Sequence, residues 1–295
     1  MNLLRCATHS VVDLDAATAR FAQWLDYSVV EEGDVPADLA AAWGAPLSAG
    51  RRYAVMQPAS GAAVFLRFIE GDRVPDYLPI RSYGWAAIEI CVQDVLAVNE
   101  RMLSPESPFP VIGPPTKIAG IDTIYPMQVR GPDQETLYFT QITTDAPDSG
   151  LPTANSLIDK LFILVLACPD MRATADWFAR TLKLDMTSPM AIRYSMISLA
   201  FGLPISDLHE IVTAKYDNDV FLEFDQYPDG TVERPGQPGA LPPGVSICTL
   251  SHPDFDTLDA DWFTAPVVRD GPLYAGRRVG VLKTPEGALL EVMEG

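Results

Sequence analysis

Two glutamates stand out for the setting in which they occur. Glu223 lies in Val220-Phe-Leu-Glu-Phe224 and Glu291 in Thr284-Pro-Glu-Gly-Ala-Leu-Leu-Glu291, each in an apolar, strand-like run. A carboxyl surrounded by hydrocarbon ionises less readily, so its pKa rises toward neutrality and it can give or take a proton there. Arg67, in Val64-Phe-Leu-Arg-Phe68, and Tyr138, in Leu137-Tyr-Phe-Thr-Gln-Ile142, are suited to orienting a carboxylate or phenolate by charge-assisted hydrogen bonds. Imidazole is scarce, with only His9, His209 and His252. Strand alternation puts His9 out of phase with Cys6, toward the helix side of its sheet. His252, in Ser251-His-Pro253, is expected in a solvent-facing loop. His209, in Ser206-Asp-Leu-His-Glu210, is kept as a candidate ligand contact. Cys6, Cys91, Cys168 and Cys248 lie far apart in apolar runs without a Cys-x-x-Cys pair, so buried thiols in a reducing compartment are expected.

The elements that must position these groups come from an internal repeat. Asp13 to Leu25 aligns with Asp170 to Leu182, matching Phe21 with Phe178 and Leu25 with Leu182. Ala42-Trp-Gly-Ala-Pro-Leu-Ser48 then aligns with Ala200-Phe-Gly-Leu-Pro-Ile-Ser206, and Val64 to Phe68 with Val220 to Phe224. Gly84 to Asp94 matches Gly244 to Asp254, Pro110-Val111 matches Pro266-Val267, and Pro132 to Tyr138 matches Pro285 to Glu291. Six blocks in one order imply two copies of an α+β module. Arg67 and Glu223 therefore hold matching places, as do Tyr138 and Glu291, and Glu89 matches Thr249. Asp13 and Asp170 are predicted helix caps, and the unbroken apolar run Leu161 to Cys168 predicts a strand buried on both faces. The Pro- and Gly-containing stretch Thr144 to Asn155 predicts a linker.

A chain of 295 residues is long enough for two domains with their own cores. Only 21 Lys and Arg face 39 Asp and Glu, and a net charge of −18 repels phosphate backbones and anionic membranes. Nucleic acid and membrane partners are therefore not expected. Met1 to Asp15 lacks the long apolar run of a secretory signal and no later stretch is apolar enough to span a bilayer, so a cytoplasmic protein is expected.

With its order of strand, Asp-capped aromatic helix, Val92-Gln-Asp94 element and closing Thr284 to Glu291 segment, the chain resembles the vicinal oxygen chelate superfamily of glyoxalases, bleomycin-resistance proteins and extradiol dioxygenases. The resemblance implies an α+β fold of four βαβββ units. It further implies that residues 1–145 and 156–295, joined by a 146–155 linker, each pair their two units into one eight-stranded cup. Metal-using members place His seven residues ahead of the capping Asp of a unit and Glu on a closing strand. Those places are Cys6, Ala87 and Tyr138 in the first half and Ile163, Ile247 and Glu291 in the second. Alkyl groups cannot donate an electron pair to a metal, so neither the family's usual ion nor any other cofactor is expected.

The resemblance puts Glu223 and Glu291 together in a second-half cup as the catalytic pair. Ile163, Val165, Ile247, Thr249, Tyr274 and His209 are the candidate contacts to substrate there, with Arg67 and Tyr138 lining the other cup. Three readings stay open. One is a metal-independent lyase or isomerase acting on a small hydrophobic, aromatic or carbonyl-containing metabolite. The second is a protein that sequesters a drug or toxic metabolite. The third is a metal enzyme with a displaced ligand set of His209, Glu223 and Glu291. The expected partner is a small molecule, and a homodimer is left open.

Overall fold

The computed structural model describes residues 2–118, 121, 123–143 and 150–295. Residues 144–149, where the predicted linker begins, lie outside the described residues.

Four units follow one another. The first comprises β1 (Leu4–Val11), α1 (Leu14–Leu25), β2 (Tyr27–Asp34), α2 (Ala37–Ala42), β3 (Arg52–Pro58) and β4 (Phe65–Glu70). The second comprises β5 (Gly84–Val92), α3 (Val95–Met102), β6 (Val111–Gly113), β7 (Ile124–Arg130) and β8 (Thr136–Ile142). The third runs through β9 (Ile158–Cys168), α4 (Met171–Thr181), β10 (Asp185–Met186), β11 (Met190–Arg193), α5 (Ser195–Phe201), β12 (Leu208–Tyr216) and β13 (Asp219–Gln226). The last holds β14 (Gly244–His252), β15 (Thr264–Arg269), β16 (Arg277–Lys283) and β17 (Leu289–Glu294).

The predicted caps form. Asp13 accepts a hydrogen bond from the Ala16 amide at 2.9 Å, and Asp170 from the Ala173 amide at 3.0 Å, each satisfying a first-turn N–H that has no partner within its helix. Phe21 and Phe178 are fully buried and occupy equivalent places, Phe21 against Phe68 and Phe178 against Phe224. β9 is buried along its length except at Lys160, as the apolar run predicts. The fourth unit departs from the pattern, because a single 3-10 turn, Phe255–Thr257, stands where the others have a helix. Asp254 spends its carboxylate on the Tyr216 hydroxyl at 2.8 Å instead of capping, and Asp256, Asp259 and Asp261 crowd the following segment with negative charge.

The α+β class holds, but the pairing of units within each half does not. One eight-stranded sheet runs β15-β16-β17-β14-β1-β4-β3-β2 and so joins the first unit to the fourth. The other runs β10-β12-β13-β9-β5-β8-β7-β6, with β11 also on β12, and joins the second to the third. The antiparallel seams are β1/β14 and β5/β9. The convex faces and the helices α1, α3 and α4 share one large core, in which Leu14, Phe21, Val95, Leu164, Phe178 and Leu250 are buried together. Cross-links fix this arrangement. The Trp85 indole donates to the Leu289 carbonyl at 2.8 Å, and Arg234 donates to the carbonyls of Trp85 and Val245 at 2.6 and 2.8 Å, tying the starts of β5 and β14 together.

Candidate functional site

Each unit contains a parallel strand pair in the middle of its cup, and the register puts four residue pairs in equivalent places. These are Thr8 with Arg67, Glu89 with Tyr138, Val165 with Glu223, and Thr249 with Glu291. The first strand of each pair contributes the residue five ahead of Asp13, Asp94, Asp170 or Asp254. Cys6, Ala87, Ile163 and Ile247, seven ahead, lie one strand repeat away on the same strands. The pairing of units then divides the expected constellations. Glu291, Arg67, Thr249, Tyr274 and Ile247 belong to the first cup, whereas Glu223, Tyr138, Ile163 and Val165 belong to the second. Glu223 and Glu291 are therefore not neighbours, and the sets Cys6/Ala87/Tyr138, Ile163/Ile247/Glu291 and His209/Glu223/Glu291 are each split between sheets.

In the first cup the polar floor is closed on itself. Arg67 is 2% exposed and Glu291 0%, and the guanidinium Nη2 donates to Glu291 Oε2 at 3.1 Å. Thr249 donates to the same oxygen at 2.7 Å, and the Trp43 indole and Tyr274 hydroxyl donate to Oε1 at 2.7 and 2.8 Å. Arg67 Nε donates to Thr8 Oγ1 at 2.9 Å, and its Cζ lies 4.8 Å from the centre of the Trp43 ring. Burial alone would push the Glu291 pKa up, but the Arg67 charge and the three neutral donors outweigh it and hold the carboxyl below its ordinary value. With four donors on its oxygens, Glu291 has no lone pair left to accept a substrate proton. α2 and Trp43 fill the space above, where a cavity of about 370 Å³ is left between Trp43, Tyr53, Arg67 and Tyr274.

The second cup is built on the same register with different residues. A cavity of about 520 Å³ opens over Glu89, Tyr138, Tyr194 and Glu223. Glu89 accepts a hydrogen bond from Thr140, and Glu223 accepts one from the Tyr194 hydroxyl at 3.1 Å. Among the described residues neither carboxyl has a Lys, Arg or His partner. Burial, reinforced by the Glu223 charge, pushes the Glu89 pKa up to about 8. Burial also raises Glu223, and the Asp225 and Tyr194 side chains oppose that only in part. Asp225, two residues along β13 and 1% exposed, is raised well above its ordinary value by burial and by Glu223. Tyr138 and Tyr194 meet edge to face with ring centres 6.1 Å apart and make an aromatic wall. α5, the counterpart of α2, leaves this cavity open because Phe201, at the position of Trp43, packs on Tyr227 and Arg81 instead of reaching the floor.

The histidines are structural. His209 is buried, but its Nε2 is 2.9 Å from Ser198 Oγ, linking β12 to α5, and it does not line the cavity that its neighbour Leu208 borders. His252 is fully buried, contrary to the expected loop exposure. Its Nδ1 accepts the Asp254 amide at 3.1 Å and its Nε2 donates to the Leu182 carbonyl at 2.7 Å, so backbone partners set its tautomer. His9 packs against Phe68 on the helix side as expected, and burial lowers its pKa to about 3. Glu89, which the repeat matches with Thr249 but to which the sequence reading gave no role at the site, takes the equivalent place in the second cup.

An imidazole and carboxylate ligand set does not fit either cup. In the first, the Arg67 guanidinium stands where a divalent ion would have to sit. In the second, Glu89, Glu223 and the Tyr138 phenol are joined by the alkyl group of Val165 and by no imidazole. Among the described residues no group of three or more His, Cys, Asp and Glu is arranged to hold an ion.

No family model and no curated protein sequence matches the chain. Solved structures do. The chain is similar to glyoxalase I from Zea mays with a TM-score of 0.63 at 13% identity, covering 100% of this chain and 92% of that one. A glyoxalase I variant from the same plant gives a TM-score of 0.65 at 12% identity over 99% and 94% of the two chains. A candidate dioxygenase from Bacillus subtilis gives 0.60 at 13% identity over 99% and 84%. At such identities the likeness concerns fold, and it extends over the whole length of the chain. The protein thus has the vicinal oxygen chelate fold in its four-unit form.

Proposed function

We propose that the second cup binds a small organic molecule and moves a proton on it, with Glu223 as general base and Glu89 as general acid. The observation that carries this reading is a pair of carboxyls at the base of an open cavity, Glu89 buried and Glu223 half-buried, with no cationic partner among the described residues and both raised in pKa. Two such groups cannot both ionise cheaply, so around neutrality the pair shares a proton and offers one acid and one base. Glu89, pushed up to about 8, retains the proton, and the Asp225 side chain and then the Tyr194 hydroxyl favour the carboxylate on Glu223. Glu223 would take a proton from a C–H made acidic by a neighbouring carbonyl. Glu89 would deliver one to the atom that gains the electron pair, so an isomerisation leaves the pair with the same number of protons. The fold is shared with glyoxalase I, which acts on a small molecule, but this chain's donors support proton transfer without an ion.

The test is to incubate the protein in deuterium oxide with a set of small aryl and alkyl carbonyl compounds and follow loss of C–H signal by proton NMR, with elemental analysis of the same sample. Exchange should appear for a subset and should fall by about 10² to 10⁴ in Glu223→Gln and Glu89→Gln, which keep shape while removing the titrating group. Undiminished exchange in both variants, or a stoichiometric metal on which exchange depends, would overturn the reading. Binding without exchange would favour sequestration.

A further inference from the structure

The charge at the mouth of the second cup says more about what enters it. Lys117, on the segment after β6, and Arg193, at the end of β11, both border the cavity that has Glu89 and Glu223 at its base. Among the described residues its border contains no acidic side chain apart from these two glutamates. That is unusual for a chain with 39 acidic residues against 21 basic ones. Among the described residues neither Lys117 nor Arg193 forms an ion pair or a side-chain hydrogen bond. The cavity bordering the first cup differs, since its Arg269 is paired with Asp38 at 3.0 Å and its Arg67 is committed to Glu291. Unpaired cations at the mouth, an aromatic wall of Tyr138 and Tyr194 midway, and the Glu89 and Glu223 carboxyls at the base make a gradient from positive to acidic.

We infer that the ligand of the second cup is a small aromatic carboxylate, held with its anionic group toward Arg193 and Lys117 and its ring against Tyr138 and Tyr194. Arg193 supplies a planar fork that matches a carboxylate, and Lys117 supplies a second charge. The opposite orientation would set the carboxylate against Glu89 and Glu223 and is disfavoured by like charge. This inference rests on the reading of the second cup as the small-molecule site and adds the class and orientation of the ligand.

Binding decides it without any need for turnover. Benzoate, phenylacetate and 3-phenylpropanoate, each paired with its uncharged primary amide, are titrated by calorimetry into the wild-type protein, Arg193→Gln, Lys117→Gln and the double variant. At least one anion should bind about tenfold or more tightly than its amide, as one charge-assisted contact allows. That preference should shrink in each single variant, vanish in the double variant and weaken with added salt. A Tyr194→Ala variant, which removes half of the aromatic wall, should weaken both members of a pair. Amides binding as tightly as the acids, with Tyr194→Ala weakening both, would overturn the anion inference and leave the small-molecule site standing. No binding by any acid, or an anion preference that survives in the double variant, would overturn it as well. Deuterium exchange, measured separately, reports on the proton-transfer reading alone.

Discussion

The two cups share a register, and their chemistry has moved in opposite directions. At equivalent places the first carries Thr8, Arg67, Thr249 and Glu291, and the second carries Glu89, Tyr138, Val165 and Glu223. In the first, opposite charges meet and every lone pair of the buried carboxylate is occupied. In the second, two carboxyls and a phenol face an open cavity with no cationic partner among the described residues. The overlying element differs as well, since Trp43 reaches down to bond with Glu291 while Phe201 stays on the wall. The difference teaches that a satisfied polar floor is a structural device, whereas an unsatisfied one under a cavity is suited to a ligand.

The largest effect expected from this comparison is on stability in the first cup. Removing one partner of its buried ion pair, as in Arg67→Met, leaves Glu291 charged and without its guanidinium, at a cost of about 3 to 5 kcal/mol. Glu291→Gln strands Arg67 in the same way. The matching change Glu223→Gln in the second cup removes a charge that has no cationic partner, and is expected to be neutral or stabilising at neutral pH. Urea denaturation of the three variants checks this, and equal losses in both cups would break the distinction.

A smaller effect should appear in the pH dependence. Glu89 has a folded pKa of about 8 against an ordinary value of 4.5, so between those values the folded state binds more protons than the unfolded state. Stability from this group is fully present below about 4.5 and is lost as pH rises through about 8. Glu291, held below its ordinary value, works in the opposite sense and loses its contribution only under acidic conditions. Glu89→Gln should therefore remove part of the decline between pH 5 and 9, on the order of a few kcal/mol at most. Thermal unfolding at stepped pH reads this directly, and an unchanged slope in Glu89→Gln would show that Glu89 ionises normally.

Much of the fold was legible because the signals were local. Asp13 and Asp170 announced their helices, the Phe21 and Phe178 stripes announced the faces they bury, and the apolar run of β9 announced a strand with no exposed side. What the repeat could not tell was which units share a sheet. It establishes equivalence between residues, and equivalent strand edges bury the same apolar surface whether a unit joins its neighbour in sequence or its counterpart across the chain. The cross-links that fix the answer, Trp85 to Leu289 and Arg234 to Trp85 and Val245, connect residues that no pattern relates. That ambiguity is why Glu291 was expected beside Glu223 and met Arg67 instead. Arg67, Tyr138, Glu223 and Glu291 were nonetheless each correctly recognised as equivalent polar places. Glu89 was matched with Thr249 but given no role, because the spacing used for the first strand of each unit was two residues too long and set Ala87 at the ligand position instead.

The smallest effect concerns His209, the side chain that best tests where the second cup ends. Its ring is buried behind the cavity wall and bonded to Ser198 Oγ at 2.9 Å, and burial lowers its pKa, so it is neutral at pH 7. Ser198→Ala deletes one partner and leaves a buried ring nitrogen unsatisfied, which costs about 1 to 3 kcal/mol and loosens the tie between β12 and α5. If the histidine only anchors the wall, affinity for a cavity ligand should stay within about twofold while the unfolding midpoint drops, because the altered bond faces away from the lining. If His209 turns into the cavity to meet the ligand, Ser198→Ala should instead change affinity and introduce a new dependence on pH near 6.5, where a freed imidazole titrates. Calorimetry at pH 5.5 and 7.5 alongside thermal unfolding separates the two outcomes, and a pH-dependent affinity in the variant would extend the functional surface of the second cup to a residue that the static geometry assigns to its frame.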